Sequence, residues 1–255
     1  TQPAASVAVG NSTDFVITFN ASGSGIKYSY VRVLSDDCDE SYYDFKVEGT
    51  SDQTGMQPVV LNLKLFLEGF YSDVNTMRAN LYDLGISTDP AETDTVTVNL
   101  WNAASLSNPE PDHSIQAVIH TNGTASMQFP QTVSGNEFYI AVKHRNHMET
   151  WSKLPVMFSS STSYDFSIAL AQAYDDGVNP PMASVAGSKF AFYGGDVNQD
   201  YTVDGSDAND IEIGANNFDF GYNASDANGD GETGGQDANI VEINANLFLF
   251  YARPY

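Results

Sequence analysis

Oxygen-bearing side chains recur at fixed spacing near the carboxyl end of this sequence. The pattern Asp196-Val-Asn-Gln-Asp returns as Asp226-Ala-Asn-Gly-Asp. Calcium takes six to eight oxygen ligands, and a 12-residue loop supplies them from positions 1, 3, 5, 9 and 12 and from the backbone carbonyl at position 7. The predicted ligands are Asp196, Asn198, Asp200, Thr202, Asp204 and Asp207 in loop 1, and Asp226, Asn228, Asp230, Glu232 and Asp237 in loop 2. Two Ca²⁺ ions are therefore expected.

Each loop leads into a segment with helical periodicity, which would return position 12 to the ion in the first turn of a helix. The recurring apolar residues are Ala208, Ile211, Ala215 and Phe218, and then Ala238, Val241, Ala245 and Phe248. We expect two short helices that pack face to face. Alternatively, Asp, Asn and Gly form solvated turns. Two loops in register, each followed by the same apolar pattern, favour calcium.

Residues 194–255 resemble a dockerin, the calcium-dependent EF-hand pair that attaches secreted enzymes to cohesin domains. The resemblance rests on Gly-Asp-Val-Asn-x-Asp at 195–200 and Asp-Ala-Asn-Gly-Asp-Gly at 226–231, and it implies the ligands named above. Family loops often carry a Ser/Thr pair at positions 10 and 11, where cohesin is contacted. Here those positions are Gly205-Ser206 and Gly235-Gln236. A cohesin-like protein is one expected partner.

Tyr201 occupies position 6 of loop 1, where such a loop normally needs Gly because the backbone takes a positive φ. A non-Gly residue in that conformation costs about 1 kcal/mol. Loop 1 offers four carboxylates against three in loop 2, and the extra charge can offset this strain.

The charge balance excludes several partners. The chain has 33 acidic against 10 basic residues and a formal net charge of −23. Nucleic acid and anionic membranes both require clustered Lys and Arg, so neither is expected. Cys38 is the only cysteine, which excludes an internal disulfide or a Cys-rich zinc site. No apolar run is long enough to span a membrane, and we expect any export signal to be removed or upstream.

The middle of the chain, residues 58–193, has the pattern of an antiparallel β-sandwich. Val59, Leu61, Leu63, Leu65 and Leu67 alternate with residues such as Asn62 and Lys64, as a half-buried strand requires. Further strands are predicted at 95–100, 114–120, 125–129 and 138–144. Asn122-Gly123 is a hairpin signal between two of them.

Two upstream regions resemble modules of large secreted bacterial proteins. Through Phe66-Leu-Glu-Gly-Phe-Tyr and Tyr139-Ile-Ala-Val-Lys-His-Arg-Asn-His, residues 58–193 resemble a β-sandwich that precedes dockerin-like tails in type IX-secreting bacteria. Through the motifs at 12–19, 36–40 and 45–49, with Gly25, residues 1–50 resemble the second half of an immunoglobulin-like module of the hydin or choice-of-anchor D type.

The immunoglobulin-like resemblance leaves the family's first strands without a counterpart, and about three strands are too few to close a sandwich. Either upstream domains of the same polypeptide complete this region, or neighbouring copies do so by strand addition, which would make the chain a fibre subunit.

Few other residues suggest chemistry. His144 and His147 could bind a metal but have no obvious third ligand, and we interpret them as polar residues at a strand end. Glu149 could belong to a glycosidase pair, although acidic pairs are inevitable in so acidic a chain. Trp101 and Trp151 could form a platform for a glycan, but aromatic residues of a sandwich are more often core.

We therefore predict a mainly β protein with a partial Ig-like module (residues 1–50), a β-sandwich (58–193) and a small α-helical, dockerin-like EF-hand pair (194–255). The predicted function is non-catalytic: a calcium-stabilised structural or adhesive module, secreted and held at the cell surface. The alternative is a carbohydrate-binding or cohesin-docking appendage of a secreted polysaccharide-degrading enzyme.

Overall fold

The computed structural model describes residues 25–34, 42–51 and 57–254, and every structural statement below refers to these residues. The chain divides into two compact units, Thr1–Met56 and Gln57–Tyr255. In the described part of the first unit, β1 (Gly25–Leu34) and β2 (Tyr42–Ser51) form an antiparallel pair. The motif at 45–49 lies in β2, whereas those at 12–19 and 36–40, and Cys38, lie outside the described residues.

The second unit is built on two sheets and is mainly β, as the sequence predicts. The strands of the larger sheet are β6 (Glu92–Asn102), β7 (His113–His120), β9 (Glu137–His144), β10 (His147–Trp151) and β11 (Val156–Met157). Their order is β10-β9-β6-β7, with β11 paired to β9. The smaller sheet contains β3 (Val59–Lys64), β8 (Thr124–Phe129) and β12 (Ser161–Asp165). Its order is β12-β3-β8, in which β12 and β3 are parallel.

The remaining elements of this unit are short, apart from two helices near the carboxyl end. They are β4 (Tyr71–Asp73), β5 (Thr76–Met77), α1 (Asn80–Asp83), β13 (Ala183–Val185), β14 (Lys189–Ala191), α2 (Gly205–Asn217) and α3 (Gly235–Ala245). Three single-turn 3₁₀ helices lie at Gln131–Val133, Phe166–Ile168 and Leu170–Gln172. None of the described helices has both the length and the apolar character needed to cross a membrane.

The main core lies between the two sheets. Alternation along β3 buries Val59, Leu61 and Leu63, as predicted from the sequence. They join one hydrophobic cluster with residues of the facing sheet, among them Val98 and Ile140. The alternation ends with β3, because the next three residues, Leu65, Phe66 and Leu67, are all fully buried.

The predicted hairpin at Asn122-Gly123 is wrong. The two flanking strands belong to different sheets, since β7 pairs with β6 and β8 pairs with β3. Gly123 has φ +84° and its carbonyl accepts a hydrogen bond from the Leu65 N–H (2.9 Å), which ties the turn to the end of β3. The turn signal is real, but tertiary pairing decides that the turn connects the two sheets.

The two predicted helices are present and pack against each other through Ile211 and Val241, both buried. The prediction for the last position of each apolar pattern is wrong, because Phe218 and Phe248 are 83% and 81% exposed. Their φ values are 58° and 55°. Both residues lie beyond the helices, which end at Asn217 and Ala245, and their backbone is left-handed. Their side chains therefore leave the face that Ile211 and Val241 occupy.

Residues on both sides of Tyr193 share a second core. Met148 and Tyr193 cluster with Val203, Ile211, Val241 and other residues of the helical tail. The Met148 N–H donates to the Tyr193 carbonyl (2.9 Å), and the Gly195 N–H donates to the Asn146 carbonyl (2.9 Å). Residues 194–254 therefore pack directly on the sandwich.

Gly69 marks the closest approach between the sandwich and the tail. A Cβ at Gly69 would lie 2.0 Å from the Ala227 carbonyl oxygen, a rigid backbone atom. We expect Gly69→Ala to lower the free energy of unfolding by about 1–3 kcal/mol because the backbone has to move. A Cβ at Gly205 meets no atom within 4 Å. Gly205→Ala is therefore the control and should leave stability unchanged or slightly higher in denaturant unfolding. Equal stabilities of the two variants would contradict the packing.

Candidate metal centre

The two loops share one backbone conformation. Positions 4 and 6 have positive φ in both, at Gln199 (60°) and Tyr201 (73°) in loop 1 and at Gly229 (72°) and Gly231 (86°) in loop 2. Tyr201 therefore takes the conformation that its loop position requires. The repeat in sequence is also a repeat in geometry.

The carboxylate at position 12 closes each loop. Asp207 Oδ1 accepts a hydrogen bond from the Val197 N–H (2.9 Å) and Oδ2 accepts from the Asp204 N–H (2.9 Å). In loop 2, Asp237 Oδ1 accepts from the Asn228 N–H (2.9 Å) and Oδ2 accepts from the Gly234 N–H (2.8 Å). Asp207 and Asp237 lie in the first turns of α2 and α3, so each helix start carries its carboxylate back to the loop.

Positions 3 and 5 are also arranged alike. The Asn198 amide donates to Asp200 Oδ2 (3.2 Å), and the Asn228 amide donates to Asp230 Oδ2 (2.9 Å). The Asn side-chain carbonyls accept from the N–H groups of Asp200 (2.9 Å) and Asp230 (2.8 Å). These contacts hold two further oxygen donors in place in each loop.

The first carboxylate of each loop is the most strained electrostatically. Asp196 is 1% exposed, and its Oδ1 is buried with no hydrogen-bond partner among the described residues. Burial, followed by the negative charges of Asp207 and Asp200, raises the pKa of Asp196 to about 7. Burial likewise raises the pKa of Asp226 to about 6, with Asp237 adding to the effect. A buried anionic oxygen without a partner is costly, and a bound cation removes that cost.

The remaining predicted ligands make different hydrogen bonds. Asp204 is exposed and caps α2, because its Oδ1 accepts from the N–H (2.7 Å) and the hydroxyl (2.8 Å) of Ser206. Position 9 often reaches calcium through water, so this geometry does not remove Asp204 from the ligand set. The Thr202 and Glu232 N–H groups each donate to the Asp at position 5 (both 3.0 Å). Their role as carbonyl ligands stays a prediction.

The two loops are linked by symmetric backbone contacts. The Val203 N–H of loop 1 donates to the Leu249 carbonyl (3.1 Å) after α3, and the Thr233 N–H of loop 2 donates to the Asp219 carbonyl (3.1 Å) after α2. Each loop is thus braced by the segment that follows the other helix.

The end of β9 and the turn that follows it contact both loops. The sequence alone did not reveal these contacts. Lys143 Nζ donates to Tyr201 Oη (3.2 Å) and lies over the Tyr201 ring (4.9 Å). The Asn146 amide donates to the Asp226 carbonyl (2.7 Å). Arg145 contacts the same carbonyl (3.3 Å) and also donates to the Asn223 carbonyl. Three residues of the Lys-His-Arg-Asn-His motif therefore contact the loops.

Asp94 anchors this turn from within the sandwich. Its carboxylate is fully buried and accepts hydrogen bonds from Arg145 Nε (3.1 Å), Asn80 Nδ2 (3.1 Å) and the Tyr222 hydroxyl. Burial alone would raise the pKa of Asp94, but His144, Arg145 and Tyr222 outweigh it and lower the pKa well below its usual range. Asp94 is therefore an ionised partner for Arg145.

His144 and His147 lie at strand ends, as predicted, but they are buried and partnered. His147 Nε2 accepts from the Gly69 N–H (3.2 Å), and the two Nδ1 atoms lie 3.0 Å apart. Burial lowers the pKa of both rings. Glu149 accepts from the Trp151 indole N–H (2.6 Å) and pairs with Lys143 (3.4 Å). These contacts give all three residues structural roles.

The proposed glycan platform is not formed by the two tryptophans. Trp101 and Trp151 are 9% and 2% exposed, and their rings pack together with centroids 5.4 Å apart. They form a small third core with Ala141. The interpretation of these aromatic residues as core is correct.

A surface cluster of Asp89, Glu92 and His120 brings one possible ligand atom from each residue within 4.8 Å. Local contacts account for all three residues. Asp89 accepts from the Ala91 N–H (2.9 Å), Glu92 accepts from the Ser87 hydroxyl, and His120 Nδ1 contacts the Thr124 carbonyl (3.0 Å).

Comparisons with known proteins give no family for this chain. No protein-family model matches it, and no curated protein matches it. Among solved structures, it is similar to a chain from the crystal structure of a type II cohesin–X–dockerin complex of Acetivibrio cellulolyticus, an N-terminal interface mutant. The identity is 14%, the TM-score is 0.42, and the match covers 73% of this chain and 94% of that chain.

The raised pKa values of Asp196 and Asp226 predict how the calcium-free protein responds to pH. Both exceed the unfolded value of 3.8, so the folded state binds more protons and stability falls as pH rises from about 4 to 7. With a chelator present, we expect the melting temperature to decrease across this window in calorimetry. Asp196→Asn cannot ionise and should flatten the decrease. A wild-type slope in this variant would contradict the assignment.

Proposed function

We propose that this chain is a non-catalytic, calcium-stabilised extracellular module in which a helix pair with one ion per loop is docked on a β-sandwich, serving a structural or adhesive role at a cell surface. The observation that carries the proposal is the buried, unpartnered Oδ1 of Asp196 within a loop that is repeated in the same geometry.

The charge of the loops supports the presence of two cations. Residues 194–255 hold nine Asp and three Glu against one basic residue, Arg253. In each loop, the carboxylates at positions 5 and 12 raise the pKa of the carboxylate at position 1. Calcium, with oxygen ligands at about 2.3–2.6 Å, would neutralise these clusters and replace repulsion by coordination.

The non-catalytic part of the proposal is supported by the roles of the groups best suited to acid–base chemistry. Asp94 and His144 are buried and Glu149 is partly buried, and each forms an ion-pair contact with a residue at the end of β9 or with Asp94 itself. The extracellular part depends on the proposed calcium sites, because calcium sites of extracellular modules have dissociation constants of about 10⁻⁴–10⁻³ M.

Removal of calcium tests the proposal. If each loop is filled at about 100 times its dissociation constant, binding adds about 2.7 kcal/mol per site, and each kcal/mol corresponds to about 2–4 °C in a unit of this size. We therefore expect a chelator to lower the melting temperature in scanning calorimetry by about 5 °C or more, and added calcium to restore it.

Magnesium is the control cation, because it requires a tighter octahedral site and should restore little of the stability. A melting temperature that is identical in calcium and in chelator would refute the proposal.

A second function, docking of a protein partner, is favoured by exposed aromatic residues on the helix pair. Phe218 and Phe220 follow α2, and Phe248 and Phe250 follow α3 at equivalent positions of the repeat; all four are exposed. Exposed apolar groups of this size often mark interaction sites. A cohesin-like protein is the partner that the dockerin resemblance implies, whereas the buried tryptophans remove the strongest argument for a glycan.

Cross-linking mass spectrometry of purified chain with a candidate cohesin domain tests the docking function. In calcium, we expect cross-links to residues near Phe218 and Phe248, and at least about tenfold weaker binding by the Phe218→Ser/Phe248→Ser double variant, since two buried aromatic contacts are lost. Tyr82→Ser, at an exposed aromatic residue outside the helix pair, is the matched control. Unchanged binding by the double variant would exclude these residues as the docking surface.

A further inference from the structure

The two loops share a backbone conformation but differ in the charged groups that surround their carboxylates. Arg145, from the turn after β9, places its Nη2 atom 3.8 Å from Asp226 Oδ2 in loop 2. Among the described residues, no Lys, Arg or His side chain forms an ion pair with a carboxylate of loop 1. Lys143, which contacts that loop, binds the Tyr201 hydroxyl and Glu149 instead.

The first carboxylates are satisfied to different degrees. Both oxygens of Asp226 accept backbone hydrogen bonds, Oδ1 from Asp230 (3.1 Å) and Oδ2 from Gly231 (3.2 Å). Asp196 occupies the same position in loop 1 and is equally buried, but its Oδ1 has no partner among the described residues. Loop 1 therefore has an orphan oxygen and no internal cation, whereas loop 2 has a satisfied carboxylate and an internal cation.

We propose that the two calcium sites of the proposed function have unequal roles: loop 1 is the tight site whose ion is needed for stability, and loop 2 is a weaker site for which Arg145 partly substitutes. This inference rests on the proposed function, and it identifies which ion controls the fold.

The physical reason is charge. A guanidinium close to Asp226 reduces the repulsion within loop 2 when that loop holds no ion, and it repels a calcium ion that enters. The Arg145 side chain is held in this position by several contacts. Its Nε donates to the buried Asp94, and its guanidinium carbon lies 4.5 Å from the centroid of the Tyr222 ring and 5.4 Å from that of the Phe70 ring. The cation is therefore a fixed part of loop 2.

In loop 1, by contrast, no cationic side chain of the described residues forms an ion pair with a carboxylate. Its calcium would be the first cation to reach Asp196, and binding would satisfy the orphan oxygen without competing with a resident charge. Loop 1 also contacts the sandwich through Tyr201 and Lys143, so filling it would strengthen the docking of the tail. As calcium falls, loop 2 would empty first while the module stays folded.

Equivalent substitutions in the two loops provide the test. Calcium titration calorimetry and scanning calorimetry would be run on the full chain and on Asp196→Asn and Asp226→Asn, which change the same loop position and the same chemistry. In the wild type we expect two sites whose dissociation constants differ at least about tenfold. Asp226→Asn should keep the tight site and most of the calcium-dependent rise in melting temperature. Asp196→Asn should lose the tight site and most of the calcium-dependent rise in melting temperature.

A second variant tests the role of Arg145 itself. Because Arg145→Met alone would leave Asp94 buried without its charge partner, the double variant Asp94→Asn/Arg145→Met removes both charges together. We expect loop 2 of this variant to bind calcium at least about tenfold more tightly than loop 2 of the wild type. Unchanged loop 2 affinity in a folded double variant would overturn the role of Arg145.

The outcomes separate this inference from the proposed function. Two sites of equal affinity in the wild type, or equal losses in Asp196→Asn and Asp226→Asn, would overturn the inference and leave calcium stabilisation intact. The absence of any calcium binding by the wild-type chain would overturn both.

Discussion

The structure depends on the cost of burying carboxylates. Asp94, Asp196 and Asp226 all lie out of solvent, where an unpaired charge is costly. Asp94 is compensated within the protein by Arg145 and by hydrogen bonds, which keep it ionised. Asp196 receives backbone hydrogen bonds from Tyr201 and Asp200, but among the described residues it has no cationic side chain beside it and its Oδ1 has no hydrogen-bond partner. Its carboxylate therefore either takes a proton or binds a cation. The calcium sites proposed here are the consequence of that difference.

The turn between β9 and β10 converts two small loops into part of a larger unit. Arg145 and Asn146 of this turn contact loop 2, and Lys143, at the end of β9, contacts loop 1. These contacts also explain why Tyr201 is tolerated at position 6 of loop 1, although its left-handed backbone costs about 1 kcal/mol. Its ring stacks on Tyr251 at 4.4 Å and receives Lys143, contacts worth about 0.5–1.5 and 0.5–1 kcal/mol respectively. Glycine at this position would relieve the strain but lose the link to the sandwich.

Sequence patterns predicted secondary structure better than they predicted strand pairing and tertiary contacts. Alternation located β3 and the strands that pack on it, and helical spacing located α2 and α3. The same spacing misplaced Phe218 and Phe248, because α2 ends at Asn217 and α3 ends at Ala245, before the last residue of each apolar pattern, and both Phe residues have a left-handed backbone. Asn122-Gly123 marked a turn correctly but not the sheets on either side of it. The polar segment Lys143-His-Arg-Asn-His stood out in the sequence. Nothing in its spacing indicated that it contacts loops more than fifty residues further along the chain.

The mainly β character of the sandwich, the duplication and the order of oxygen donors within each loop can be read from the amino-acid sequence, because these features depend on residues close together along the chain. The folded chain was needed to show that Asp196 Oδ1 lacks a hydrogen-bond partner among the described residues, that Asp226 faces Arg145, and that the tail shares a core with the sandwich. Burial and the distance between charges remote in sequence set those properties, and both arise only when the chain has folded.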